Sequence, residues 1–105
     1  LQKNHPYSAI IKAFQELIRQ ILTEPETELK NWRNKIISEL EGNAAVITEV
    51  LKELELIIGE QEPVSELGAI ENQNRFFHIF QKFINIFAKP EHPLAIFLDD
   101  LQWAD

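Results

Sequence analysis

Every aspartate in this 105-residue chain lies in its last seven positions: Asp99, Asp100 and Asp105. Two of them stand side by side, directly after the unbroken apolar run Leu94-Ala95-Ile96-Phe97-Leu98. Adjacent carboxylates repel each other, and burial penalises the charged form of both. Two environments relieve that cost: bulk water or a bound divalent cation. Other reactive chemistry is scarce. The chain has no cysteine, so it holds neither a thiol nucleophile nor a thiolate metal site. His5, His78 and His92 are too far apart in sequence to form a metal-binding helical pair. None of Ser8, Ser38 and Ser65 lies in a G-x-S-x-G string.

The run at 94–98 does not alternate between apolar and polar residues. As a strand it would have both faces covered, as in the interior of a parallel sheet. Ligands of open α/β sheets bind beyond the carboxyl ends of the strands. An acid delivered there can hold the Mg²⁺ that bridges the phosphates of a nucleoside triphosphate, as Walker B acids do. Side chains alternate along a strand, so the second acid points elsewhere and takes a different task, such as orienting water. The same residues also fit a core segment ending in a solvated turn, because short apolar runs before Asp-Asp are common.

Four helical patterns precede this run. Ile10, Ile11, Phe14, Leu17, Ile18, Ile21 and Leu22 predict a helix from Ser8 to about Leu22, with Ser8 as its cap. Thr23 is placed to cap a second, carrying Leu29, Trp32, Ile36 and Leu40 and stopping at Gly42. Asn43 then caps a third, expected to run unbroken to Ile58 and end at Gly59. Residues 60–71 hold Pro63 and Gly68 and read as a loop with a short turn. The fourth helix, from about Asn72 to Ala88, carries Phe76, Phe77, Phe80, Phe83 and Phe87. Its apolar arc is wider than a surface helix needs, which implies burial on two sides or a groove for a partner helix. Trp32 reads as a packing anchor, and Arg75 as the surface partner of Glu71 four residues earlier.

Composition narrows the class further. Apolar residues make up 45% and charged residues 26% of the chain, as in globular proteins. The net charge is −7 and no Lys/Arg cluster occurs, which argues against nucleic-acid or membrane-surface binding. No apolar run reaches the length of a membrane span and nothing resembles a signal peptide, so a cytoplasmic setting is expected.

The string Leu94-Ala95-Ile96-Phe97-Leu98-Asp99-Asp100-Leu101-Gln102-Trp103-Ala104-Asp105 resembles the Walker B region of STAND-type AAA ATPase domains. Upstream, HPYSAIIKAFQELIRQIL, ELELIIGEQEPVSEL and NRFFHIFQKFINIFA are similar to the helical region between Walker A and Walker B in one subgroup. In that subgroup the ATPase follows a serine/threonine kinase domain and precedes sensor and histidine kinase domains. The resemblance implies a predominantly α segment of an α/β P-loop NTPase fold, about four helices followed by one buried strand carrying Walker B. Residues 1–93 would be the helical region and residues 94–105 the Walker B strand and its following loop. Carried over by position, Asp99 matches the metal-holding acid and Asp100 the catalytic acid that positions hydrolytic water. Trp103 and Asp105 would shape the loop.

Mg²⁺ and ATP are the cofactors this implies in the parent domain, with other domains of the same polypeptide as partners. No G-x-x-x-x-G-K-[ST] string occurs, and Gly42, Gly59 and Gly68 are scattered. The fragment alone is therefore expected to be inactive, with Walker A upstream of Leu1. A strand at 94–98 without sheet neighbours would fray or drive self-association. The alternative from another class is a non-catalytic helical interaction module.

Overall fold

Helix α1, Pro6–Ile21, buries Ile10, Phe14, Ile18 and Ile21, spaced at three and four residues along one face. The computed structural model describes residues 6–88. Five α-helices and one 3-10 turn make up its elements, and no strand occurs among the described residues. The α/β expectation is corrected accordingly: the described architecture is all-helical, with five α-helices in place of about four. The segment expected as a buried Walker B strand, residues 94–98, lies outside the described residues.

Thr23 does not cap the second helix. Its Oγ1 donates to the Gln20 carbonyl at 2.7 Å, closing the end of α1 instead. Helix α2, Glu26–Leu40, starts after Pro25, whose extended backbone and missing N–H suit that place. Glu26 and Glu28 occupy its first turn, where the helix dipole favours acids. The helix ends at Leu40, two residues before the expected glycine. Glu41 takes the left-handed conformation at φ 50°, followed by Gly42 at φ 83°.

The expected third helix is broken. Helix α3, Ala44–Thr48, is followed by irregular backbone at Leu51, a 3-10 turn at Lys52–Leu54, and helix α4, Glu55–Ile58. The break has a packing cause, because α3 packs on α5 whereas α4 packs on α2. One straight helix cannot face both neighbours, and the bend buries Val46, Ile47, Leu51, Leu54, Ile57 and Ile58 together. Val50 is left half in solvent by the same bend. The β-branched run Val46-Ile47-Thr48 gives little intrinsic resistance to ending the helix there.

Helix α5, Ala69–Phe87, starts three residues earlier than its apolar pattern implies. Gly68 is its N-cap, and Glu71 folds back so that its Oε1 lies 2.5 Å from where a Cβ on Gly68 would sit. A cap followed three residues later by Glu is the spacing of a capping box. The segment before it, residues 59–68, contains no helix or strand, and so no short turn of helix.

The core is centred on phenylalanines. Phe14 of α1 is fully buried and meets Phe83 at 4.8 Å, Phe87 at 5.5 Å and Phe80 at 6.3 Å between ring centroids. Ile36 and Leu40 of α2 join them, with Ile47 and Leu51 closing the far side. The wide apolar arc of α5 is thus filled by α1, α2 and α3 together. Polar ties fix the rim. Arg33 Nε donates to the Ile57 carbonyl at 3.2 Å, satisfying a carbonyl left open at the end of α4. Gln15 Nε2 donates to Glu53 at 3.1 Å, joining α1 to the 3-10 turn.

Candidate functional site

The two acids singled out by the sequence, Asp99 and Asp100, lie outside the described residues, as do Trp103 and Asp105. What the structure does describe is the element that leads to them. The last turns of α5 are anchored through Phe83, Ile84, Ile86 and Phe87, all buried. The Trp32 ring stacks on Phe87 at 5.2 Å with 20° between planes. Trp32 therefore serves as the packing anchor its sequence context implied. The Ala88 N–H donates to the Ile84 carbonyl at 3.0 Å. The C-terminal end of α5 is thus held by a stacked aromatic pair.

Lys35 sits 5.9 Å from the Trp32 ring centroid, a weak cation–π contact. With Phe87 and Lys35 both against this ring, Trp32 is not a ligand-stacking platform. His78 is exposed on α5, and no group of three His, Asp or Glu is placed to hold a metal among the described residues.

One cavity of about 200 Å³ lies between α3, the 59–68 segment and the start of α5. Val46, Val50, Val64 and Phe76 supply its apolar lining, and Glu49, Glu66 and Arg75 its charges. Arg75 does not pair with Glu71 as expected. Its Nη2 donates to Asn72 Oδ1 at 3.0 Å, and Asn72 Nδ2 donates in turn to the Leu67 carbonyl at 3.0 Å. Glu71 is turned toward Gly68 instead. Two carboxylates against one guanidinium make this a poor phosphate site. The Arg75–Asn72–Leu67 chain is a clasp fastening the irregular segment to α5. The signal that reveals it is Gly68-x-x-Glu71, which starts the helix early and takes Glu71 away from Arg75.

Residues 1–105, the whole chain, match the AAA ATPase domain family. The chain belongs to that family. The AAA ATPase chain is also 43% identical over 100 residues to hybrid signal transduction histidine kinase G of Dictyostelium discoideum. That match takes in 95% of this chain and 3% of the kinase. Histidine protein kinase 1 of Candida albicans is 25% identical over 114 residues, covering 94% of this chain and 4% of that protein. The AAA ATPase segment thus spans only a few per cent of the relatives it resembles. Both are named for histidine kinase activity; neither name carries the serine/threonine kinase that the sequence resemblance implied. No solved structure matches the chain significantly. No helix among the described residues is long and apolar enough to cross a membrane.

Proposed function

We propose that this chain is the helical part of an ATP-binding and ATP-hydrolysing signalling module within a multidomain kinase. The parent uses MgATP to change the arrangement of its domains, in the manner of a STAND-type switch. The match of residues 1–105 to the AAA ATPase domain family carries this reading. The kinases named among its relatives favour a signalling role.

In this reading Asp99 would hold Mg²⁺, which would offset the phosphate charge of ATP, and Asp100 would orient the attacking water. Phosphate cradling falls to a glycine-rich loop elsewhere in the parent, because this chain contains no such string. The acids are expected to separate in a mutant test. In the complete parent domain, Asp99→Asn should weaken Mg²⁺-dependent ATP binding by about tenfold, roughly 1.4 kcal/mol. Asp100→Asn should leave binding within about twofold and slow hydrolysis by on the order of 10². Titration calorimetry and steady-state phosphate release measure the two effects. A parent domain that binds MgATP equally well with Asp99→Asn would overturn the assignment.

A further inference from the structure

Ser65 differs from the other serines and threonines of the described residues. Ser8, Thr27, Ser38 and Thr48 stand within α1, α2 and α3, and Thr23 is bonded to the Gln20 carbonyl. Ser65 is exposed, and it lies in the 59–68 segment, which has no helix, strand, turn or bend. Among the described residues its hydroxyl has no hydrogen-bond partner, and no backbone group of residues 60–66 is bonded either. An enzyme that transfers a phosphoryl group must bring the acceptor oxygen in line with the γ-phosphorus of its donor. A hydroxyl inside a helix reaches that geometry only after local opening, whereas here no ladder of hydrogen bonds has to break.

A partner for the transferred group stands across the cavity. Ser65 and Arg75 line the same space of about 200 Å³, between the segment and α5. Arg75 is partly buried, and among the described residues its side chain is bonded only to the neutral Asn72 amide. A guanidinium carries five N–H donors, and a phosphoryl group offers three strong acceptor oxygens. The charge-assisted bonds between them are roughly twice as strong as the neutral one that Arg75 now makes. Glu49 and Glu66 line the same cavity and repel a free phosphate ion. A phosphoryl group on Ser65 is held there covalently, at an effective concentration that a free ion does not reach. Glu66 travels with the segment, so its repulsion is nearly the same whether the segment is docked or released. That leaves Glu49 against Arg75, and the directed hydrogen bonds decide for Arg75.

We propose that Ser65 is a phosphorylation site, and that its phosphoryl group pairs with Arg75 to fasten the 59–68 segment onto α5. The donor is ATP, and the enzyme is a protein serine kinase with a basic substrate groove. Glu60, Glu62 and Glu66 flank the serine, and no Lys or Arg occurs from position 53 to 74. Ser65 Oγ bonds to the γ-phosphorus as the bond to the β,γ-bridging oxygen breaks. The hydroxyl proton passes to the base of the kinase, and ADP leaves. The inference does not depend on Asp99 or Asp100 acting on a nucleotide.

Two measurements on the parent protein test it. Tryptic cleavage after Lys52 and Arg75 releases residues 53–75, in which Ser65 is the only hydroxyl side chain. Protein isolated from its own cells with phosphatases inhibited should yield this peptide carrying one phosphate. Its absence would overturn the site. The second measurement is amide exchange of the parent made with phosphoserine at position 65. Amides at 60–67 should exchange at least about fivefold more slowly than in the unmodified protein. Arg75→Gln should abolish that difference, with the 83–87 amides checking that α5 stays folded. Should Arg75→Gln lose the 83–87 protection, Arg75→Lys takes its place; it keeps the charge without the planar fork and should at least halve the slowing. Equal or faster exchange in the phosphorylated protein would overturn the proposal, as would slowing that persists in full in these variants.

Discussion

Phe14 shows most directly how one side chain organises this chain. It is fully buried and touches three phenylalanine rings of α5, so it joins α1 to α5. Truncation to alanine removes those contacts and leaves a cavity that rigid neighbours fill only in part. Phe14→Ala is therefore expected to cost about 3–5 kcal/mol, against under about 1.5 kcal/mol for Phe14→Leu. Denaturant unfolding of the parent domain, followed by helical circular dichroism, checks both. This residue was legible in the sequence, since the spacing of Ile10, Phe14, Ile18 and Ile21 marks one face. Arg75 was not. The i, i+4 rule favours Glu71, but Glu71 occupies the third position of a helix that begins earlier than the apolar pattern shows. The helix N-terminus attracts its carboxylate, and Asn72 takes the guanidinium.

At the scale of elements, the helix count in the sequence pattern was nearly right and the boundaries were not. Periodicity marks which residues are buried, not whether one axis carries them all. Val46, Ile47, Leu51, Leu54, Ile57 and Ile58 fit one continuous face, yet they bury against two different helices after a bend. Only the tertiary neighbours dictate that bend. The junctions give a sharper test. Gly42 holds φ 83°, a conformation that side chains resist even where space is open, and nothing lies within 4 Å of its missing Cβ. Gly42→Ala should therefore destabilise by about 1 kcal/mol through backbone strain alone. Gly68 has φ −66°, and only the flexible end of Glu71 lies in the way of a Cβ. Gly68→Ala loses part of that cap but restricts the unfolded chain, so its net effect should stay within about 0.5 kcal/mol. Thermal unfolding of the two variants side by side measures the contrast. Equal losses would mean that Glu71 matters to the cap far more than its geometry implies.

Across the whole molecule, order should be unevenly distributed. Helix α5 ends in a run of buried residues, Phe83, Ile84, Ile86 and Phe87, packed among α1, α2 and α3. The 59–68 segment has no helical or strand ladder and is joined to α5 through the Asn72 bond to the Leu67 carbonyl. Amide protection follows the free energy of the opening that exposes each group, from near zero in loops to the global value in the core. Amides at positions 83–87 should thus exchange at least about 10³-fold more slowly than those at 60–66, a gap of roughly 4 kcal/mol. Asn72→Ala removes both the Leu67 bond and the acceptor for Arg75. It should speed exchange in the 60–68 segment while leaving the 83–87 amides unchanged. If the two regions instead lose protection together, the clasp is part of the main cooperative unit. The segment would then be held by the core itself, through the partly buried Val64, and not by its polar tie.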